Sequence, residues 1–271
     1  MVATPIGNLD DFSPRARETL ARVEVIAAED TRTSRKLLPP REQPPRWVSL
    51  HEHNEPRAVG QLIEQLQAGR DVALLSDAGT PLISDPGYRL VSAAHDRQIE
   101  VSPIPGPCAA TAALSAAGLA TDHFWFEGFL PARAGARREK LRALRRLSAT
   151  LVIYVPARDL PSVLEDAATE IGGERPATVA RELTKQFETI RRATLAELGQ
   201  WVREDADQQR GEAVLLVGAC ERDDDPKILV DALARELAAE LPPARAARIL
   251  TRVSGLDRRT AFGLIESLRK D

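Results

Sequence analysis

Val72-Ala73-Leu74-Leu75-Ser76-Asp77-Ala78-Gly79-Thr80-Pro81-Leu82-Ile83-Ser84-Asp85-Pro86-Gly87 decides the fold. Four apolar residues run without a break and then stop at a loop of Ser, Asp, Gly, Thr and Pro. A short, wholly apolar run reads as a strand covered on both faces. The loop then lies at the strand's carboxyl end, where open α/β sheets bind ligands. Gly79 and Gly87 permit close backbone approach. Asp77, directly after the strand, offers an acceptor to a ligand hydroxyl or ammonium. Turn chemistry alone is the blander explanation, but so many Gly, Pro and Asp at a strand end favour ligand contact.

Outward from this stretch the same pattern repeats. Residues 1–9 read as a strand end running into a turn. A helix follows, with Ser13 as its N-cap and Pro14 at its first position. Short strands are expected at 25–28 and 48–50, each ending in a polar cluster, with a proline-rich loop at 39–46. Val59, Leu62, Ile63 and Leu66 give a helix over 57–68 its apolar stripe, and Gly69 ends it. A helix at 88–95, a strand at 99–104 and a small-residue helix at 108–117 complete a mainly parallel α/β domain, 1–120. Strands at 124–130, 151–155, 177–180 and 213–217, with helices near 137–147, 160–170 and 195–204, form a second α/β domain, 121–222. Residues 221–227 read as a linker. Helices at 228–241, 244–253 and 260–268 make a small helical unit, 223–271. The fold class is α/β: two such domains with a cleft between them, plus a small C-terminal helical unit.

Composition excludes several classes. The chain has 271 residues, 43% hydrophobic and 28% charged, with a net charge of −3. A nucleic-acid surface must therefore be a local patch. No run approaches the roughly 18 apolar residues of a membrane helix, and the first residues lack a secretory signal, so a cytoplasmic chain is expected. Two cysteines are too few for a disulfide framework. G-x-G, G-x-x-x-x-G-K-[ST], C-x-x-C, H-E-x-x-H and G-x-S-x-G are all missing. His51-x-His53 has no third ligand at metal spacing, so no metal is expected.

Charge is concentrated in one place. Arg133, Arg137, Arg138, Lys140, Arg142, Arg145 and Arg146 stand against Glu139 alone. Such a cluster suits a phosphate backbone, although a solvated helix face is the plain alternative. Arg32, Arg35 and Lys36 form a second basic group beside Asp30. Arg181-Glu182-Leu183-Thr184-Lys185 follows a strand with opposite charges at short range: a catalytic group or a salt-bridged turn.

Taken together, 2–11, 28–32, 51–55, 75–87, 105–110, 127–131, 180–185 and 210–212 resemble the tetrapyrrole-methylase-like S-adenosylmethionine enzymes. Within that family they resemble the branch acting on small-subunit ribosomal RNA. The resemblance implies S-adenosylmethionine as cofactor, held in the inter-domain cleft by Thr4, Pro5, Ile6, Gly7, Asn8, Asp77, Gly79, Thr80, Cys108, Ala109, Tyr154, Ala180 and Val217. It implies 2′-O-methylation of a cytidine ribose in 16S rRNA, at the decoding centre of the assembled small subunit, by a homodimer. Asp30, Glu182 and Lys185 are the candidate catalytic groups. Arg32, Arg35, Lys36, Arg133, Arg137, Arg138, Lys140 and Arg142 are the candidate RNA contacts. Where the family reads Tyr-Glu-Ser-x-His-Arg, this chain has Tyr154-Val155-Pro156-Ala157-Arg158. A tetrapyrrole methylase and a non-enzymatic ribosome-binding protein are the competing readings.

Overall fold

The structure, a computed structural model, describes residues 1–38, 41, 43–51, 53–220 and 226–269. Glu52 and most of the expected linker, 221–225, lie outside them, as do Pro39, Pro40 and Glu42 of the proline-rich loop. Contacts divide the chain into two compact units, Met1–Ala219 and Cys220–Asp271.

The first unit opens with α1 (Pro14–Arg22). Ser13 Oγ accepts the Ala16 N–H at 3.1 Å, satisfying one of the donors a helix start leaves open. Next come β1 (Val25–Ala28), α2 (Thr31–Ser34), β2 (Arg46–Ser49), α3 (Glu55–Gln67) and β3 (Val72–Leu74). The three strands form a parallel sheet in the order β2-β1-β3. Val2 extends it with parallel bridges to Leu75 and Ile104. After α4 (Tyr88–His95), the strand expected at 99–104 is reduced to that one bridge. Pro103 and Pro105 flank Ile104 and bring no N–H to a ladder. The small-residue helix is α5 (Ala109–Ala116).

A second sheet follows in the same unit: β4 (Phe124–Phe129), α6 (Ala134–Leu144), β5 (Thr150–Pro156), α7 (Leu160–Ala167), β6 (Pro176–Arg181), β7 (Thr189–Thr194), α8 (Leu195–Glu204) and β8 (Glu212–Val217). The strand order is β4-β5-β8-β6-β7, and only β4–β5 is parallel. α6 begins three residues earlier than its charge pattern suggested. β7 was not expected at all: Thr-Ile-Arg-Arg-Ala-Thr is an edge strand, mostly exposed, without an apolar run.

Strand alternation sorts this sheet into two faces. Leu151, Ile153, Val155, Ala177, Val179, Leu215 and Val217 pack with α7 and α8. Val152, Tyr154, Ala180, Val214 and Leu216 pack with α5 on the opposite face.

The second unit contains α9 (Pro226–Glu240), α10 (Pro243–Ser254) and α11 (Arg258–Ser267) around Ala234, Ala238, Ala246, Ala247, Leu250, Ala261 and Ile265. Gly255, at φ +73°, closes α10 in the left-handed region, and Asp257 Oδ1 accepts the Arg259 and Thr260 N–H groups at the start of α11.

Candidate active site

The deciding loop is held by Thr4, from the turn near the chain start, which is fully buried. Its Oγ donates to Ser76 O (3.0 Å) and accepts the Gly79 N–H (3.1 Å), while its own N–H donates to Gly79 O (2.9 Å). Thr80 Oγ donates to Pro107 O at 2.9 Å. These bonds tie three strand-end loops together. They frame a cavity of about 350 Å³, within the range of small-molecule sites. Ile6, Asp77, Gly79, Thr80, Ile83, Ser84 and Asp85 line one wall. Cys108 and Ala109 line the start of α5, and Phe129, Tyr154, Ala180 and Val214 the second sheet. Glu182, Lys185, Gly211 and Glu212 complete it.

Two features mark this cavity as more than a gap in packing. Ser84 and Glu182 in its wall have positive φ (66° and 50°), as do Leu82 and Thr184 in the same loops (75° and 65°); strain of that kind gathers at ligand sites. Asp85 Oδ2 is buried with no hydrogen-bond partner among the described residues. Burial pushes the Asp85 carboxyl up; the Ser76 hydroxyl offsets part of the rise and the Asp77 charge adds to it.

Opposite stands an ion cluster. Lys185 Nζ lies 2.9 Å from Glu182 Oε1 and 2.9 Å from Glu212 Oε2. Glu182 Oε1 also accepts the Glu212 N–H at 3.0 Å. Burial works to raise the Glu182 carboxyl, but the bonds from Lys185 and the Glu212 N–H outweigh it and hold the group below its ordinary value. Burial likewise works to lower Lys185, and its two carboxylate partners reverse that. Both groups are held charged. Arg181, 6% exposed, secures the loop from beneath: its guanidinium donates to Gln208 Oε1, Arg210 O, Phe187 O and Thr189 Oγ.

Of the expected cofactor residues, Ile6, Asp77, Gly79, Thr80, Cys108, Ala109, Tyr154 and Ala180 line the cavity; Thr4, Pro5, Gly7, Asn8 and Val217 do not. Thr4 and Pro5 are buried supports. Gly7 is required by close approach, since a methyl there would meet Lys185 Cγ at 2.5 Å. Asn8 Oδ1 instead accepts the Asp10 N–H. Val217 is corrected by parity: three residues from Val214, it points to the face packed on α7 and α8. Glu182 and Lys185 are in the cavity wall, but Asp30 is not. The Asp30 carboxylate caps α2 and pairs with Arg32 at 3.2 Å, and only its backbone N–H reaches Asp77 Oδ1 (3.2 Å). Asp85, Ser84, Phe129 and Val214 were missed as site residues. Burial of one acid oxygen and the face of a strand depend on tertiary contacts, though the loop holding Ser84 and Asp85 was itself legible.

The basic cluster on α6 is largely committed within the fold. Arg137 and Arg138 both bind Asp166, which is 3% exposed; Lys140 binds Glu127 at 2.8 Å and Arg142 binds Glu170 at 2.9 Å. The acids come from other elements, so the local count overstated the available charge. No acid partner is seen for Arg133, Arg145 or Arg146 among the described residues. Arg32 is highly exposed beside Asp30, Arg35 stacks over Trp47 at 5.2 Å, and Lys36 is exposed. His51 and His53 sit 6.0 Å apart, edge to face, and no cluster of three metal-ligating side chains occurs among the described residues. No helix is long and apolar enough to cross a membrane among the described residues.

Comparison with known proteins gives the family. Residues 1–199 match the family model of tetrapyrrole (corrin/porphyrin) methylases. A ribosomal RNA small subunit methyltransferase I from Pseudomonas aeruginosa is 49% identical over 94% of this chain and 92% of its own. The protein of that name from Escherichia coli O157:H7 is 45% identical over 97% and 92%. Among solved structures, a cobalt precorrin-4 methyltransferase aligns at TM-score 0.59 with 18% identity, over 80% of this chain and 92% of its own. A uroporphyrin-III C-methyltransferase from Thermus thermophilus, complexed with S-adenosyl homocysteine, aligns at 0.53 with 17% identity, over 79% and 94%. The chain therefore belongs to the tetrapyrrole methylase family, beside the relatives named ribosomal RNA small subunit methyltransferase I.

Proposed function

We propose that this chain methylates ribosomal RNA of the small subunit from S-adenosylmethionine, at the 2′-oxygen of a cytidine ribose in 16S rRNA, as a homodimer acting on the assembled particle. The observation that carries the reading is the pairing of an apolar-walled cavity with one charged group already fixed in its wall, Lys185, in a chain 49% identical to a named relative. The residues fit the cofactor. The cavity offers aromatic and aliphatic walls for an adenosine and carboxylates for a cationic amino-acid end, and Asp85 Oδ2 is a buried acceptor without a donor among the described residues. Ile6, Asp77, Gly79, Thr80, Cys108, Ala109, Tyr154 and Ala180 would hold the group.

When bound, S-adenosylmethionine supplies an electrophilic methyl on sulfur. The chain must place the ribose hydroxyl against it and keep water out, and orientation of this sort is worth roughly 7–11 kcal/mol. The ribose hydroxyl gives up its proton to solvent at the cavity mouth, and Lys185 presents a fixed cation to the oxygen as its negative charge grows. Glu182, held ionised and spent on Lys185 and the Glu212 N–H, positions that cation rather than serving as a free base. Asp30 lies outside the wall and supports Asp77 from behind. Arg32, Arg35, Lys36 and Arg133 are left as contacts for phosphates.

The test is tritium transfer from S-adenosylmethionine into small subunits from cells lacking the modification, followed by mapping of 2′-O-methyl riboses. One new methylated cytidine in 16S rRNA is expected. A methyl on a base, or on a tetrapyrrole but never on the subunit, would overturn the reading.

A further inference from the structure

The aromatic residue at the cavity mouth is exposed in a way the fold does not require. Only 4% of the chain is aromatic, yet Phe129 lines the cavity with 58% of its surface open. Its direction comes from a bulge. Phe126 pairs with Val152 and Gly128 with Ile153, so Glu127 is the extra residue, and Phe129 then faces Tyr154. Without the extra residue, Phe126 and residue 128 would share the cavity face and Phe129 would point away. With it, Phe126 and Phe129 both meet the Tyr154 ring edge to face, at 5.0 and 5.6 Å. Gly128 makes the turn possible: its φ is +71°, and a methyl there would come within 3.1 Å of Ser84 Oγ. Glu127 is anchored by Lys140 and the Trp125 indole N–H (2.8 and 2.9 Å), which fixes the bulge.

Bulges of this kind re-aim a side chain beside a site. The result is a ring in edge-to-face contact with Tyr154 and more than half exposed in the cavity wall. Single-stranded RNA is held by bases splayed onto such rings. We propose that Phe129 is the platform on which the unstacked base of the acceptor nucleotide lies, positioning its ribose for methyl transfer. This rests on the RNA-methylating reading above. The ring does no chemistry; it is a positioning residue.

The experiment uses full-length protein and small subunits lacking the modification. F129L keeps an apolar side chain without a π-face, F129A removes it, and F129Y restores it. Loss of one stacked base is expected to lower kcat/KM for the subunit about 5- to 150-fold in F129L and F129A. F129Y recovers most of that loss. Calorimetric titration with S-adenosylhomocysteine should show a change in Kd far smaller than the loss of kcat/KM, since Phe129 is not among the residues proposed to hold the cofactor. F129L indistinguishable from wild type would overturn the proposal. So would a fall in S-adenosylhomocysteine affinity parallel to the loss of rate, which would place the ring against the cofactor instead. If wild type methylates no subunit, the functional reading fails, and the platform with it; if wild type is active, the variants judge the platform alone.

Discussion

Lys185 owes its place to groups that sequence separates. Glu182 is three residues away, but Glu212 arrives from β8 and Arg181 braces the loop through Gln208 and Arg210. A cation held by two carboxylates and aimed at a cavity suits charge that appears only in a transition state. K185A should lower kcat about 100-fold while the S-adenosylhomocysteine Kd, read by calorimetry, stays put. E182Q should weaken activity less, since Glu212 still holds the ammonium. Asp85 makes the opposite kind of prediction. Its folded carboxyl is raised above the unfolded one, so the native state binds the proton more tightly. Stability is therefore fully kept below the unfolded pKa and lost as pH rises through the folded one. D85N should melt above wild type at pH 8, with the difference closing toward pH 4, while binding the cofactor more weakly. A D85N protein that melts lower at pH 8 would refute this account of the orphaned oxygen.

Elements show where a linear reading succeeds and where it stops. The parallel strands, the Ser13 and Pro14 helix start and the Gly69 stop were legible because each rests on neighbours in the chain. β7 was not, because an edge strand needs no apolar alternation; its stability comes from pairing with β6. Val217 and Val214 lie on opposite faces of β8, since the side-chain period of a strand is two and a shift of three changes face. The α6 arginines show the same gap in electrostatics. Asp166 on α7 is buried between Arg137 and Arg138, and nothing near 137 in sequence announces it. Removing one member of such a set leaves an uncompensated buried charge. D166A should cost about 3 kcal/mol and lower Tm accordingly by calorimetry. Reversing Arg137 and Arg138 should unfold the protein before it reveals anything about RNA, whereas R133E should reduce subunit binding without lowering Tm.

Across the whole molecule, the cavity and the helical end of the chain belong to different units. Every residue lining the cavity lies within Met1–Ala219. The cores that support those residues lie there too, while α9, α10 and α11 close on a core of their own. That helical unit carries Arg245, Arg248, Arg252, Arg258 and Arg259, all exposed, on two consecutive helices. The overall acidity of the chain hides this local balance, as it does on α6, but here the described residues show no ion pair for any of the five. Phosphate contacts add to substrate affinity and are salt-dependent; they do not touch the donor. A chain ending at Ala219 should therefore melt in one cooperative step and keep its S-adenosylhomocysteine Kd within about threefold, a shift of well under 1 kcal/mol. Its KM for the small subunit should rise at least about tenfold at moderate salt, with a shallower dependence of log KM on log salt than the full chain shows. An unchanged KM with a smaller oligomer in solution than the full chain forms would assign those helices to assembly instead.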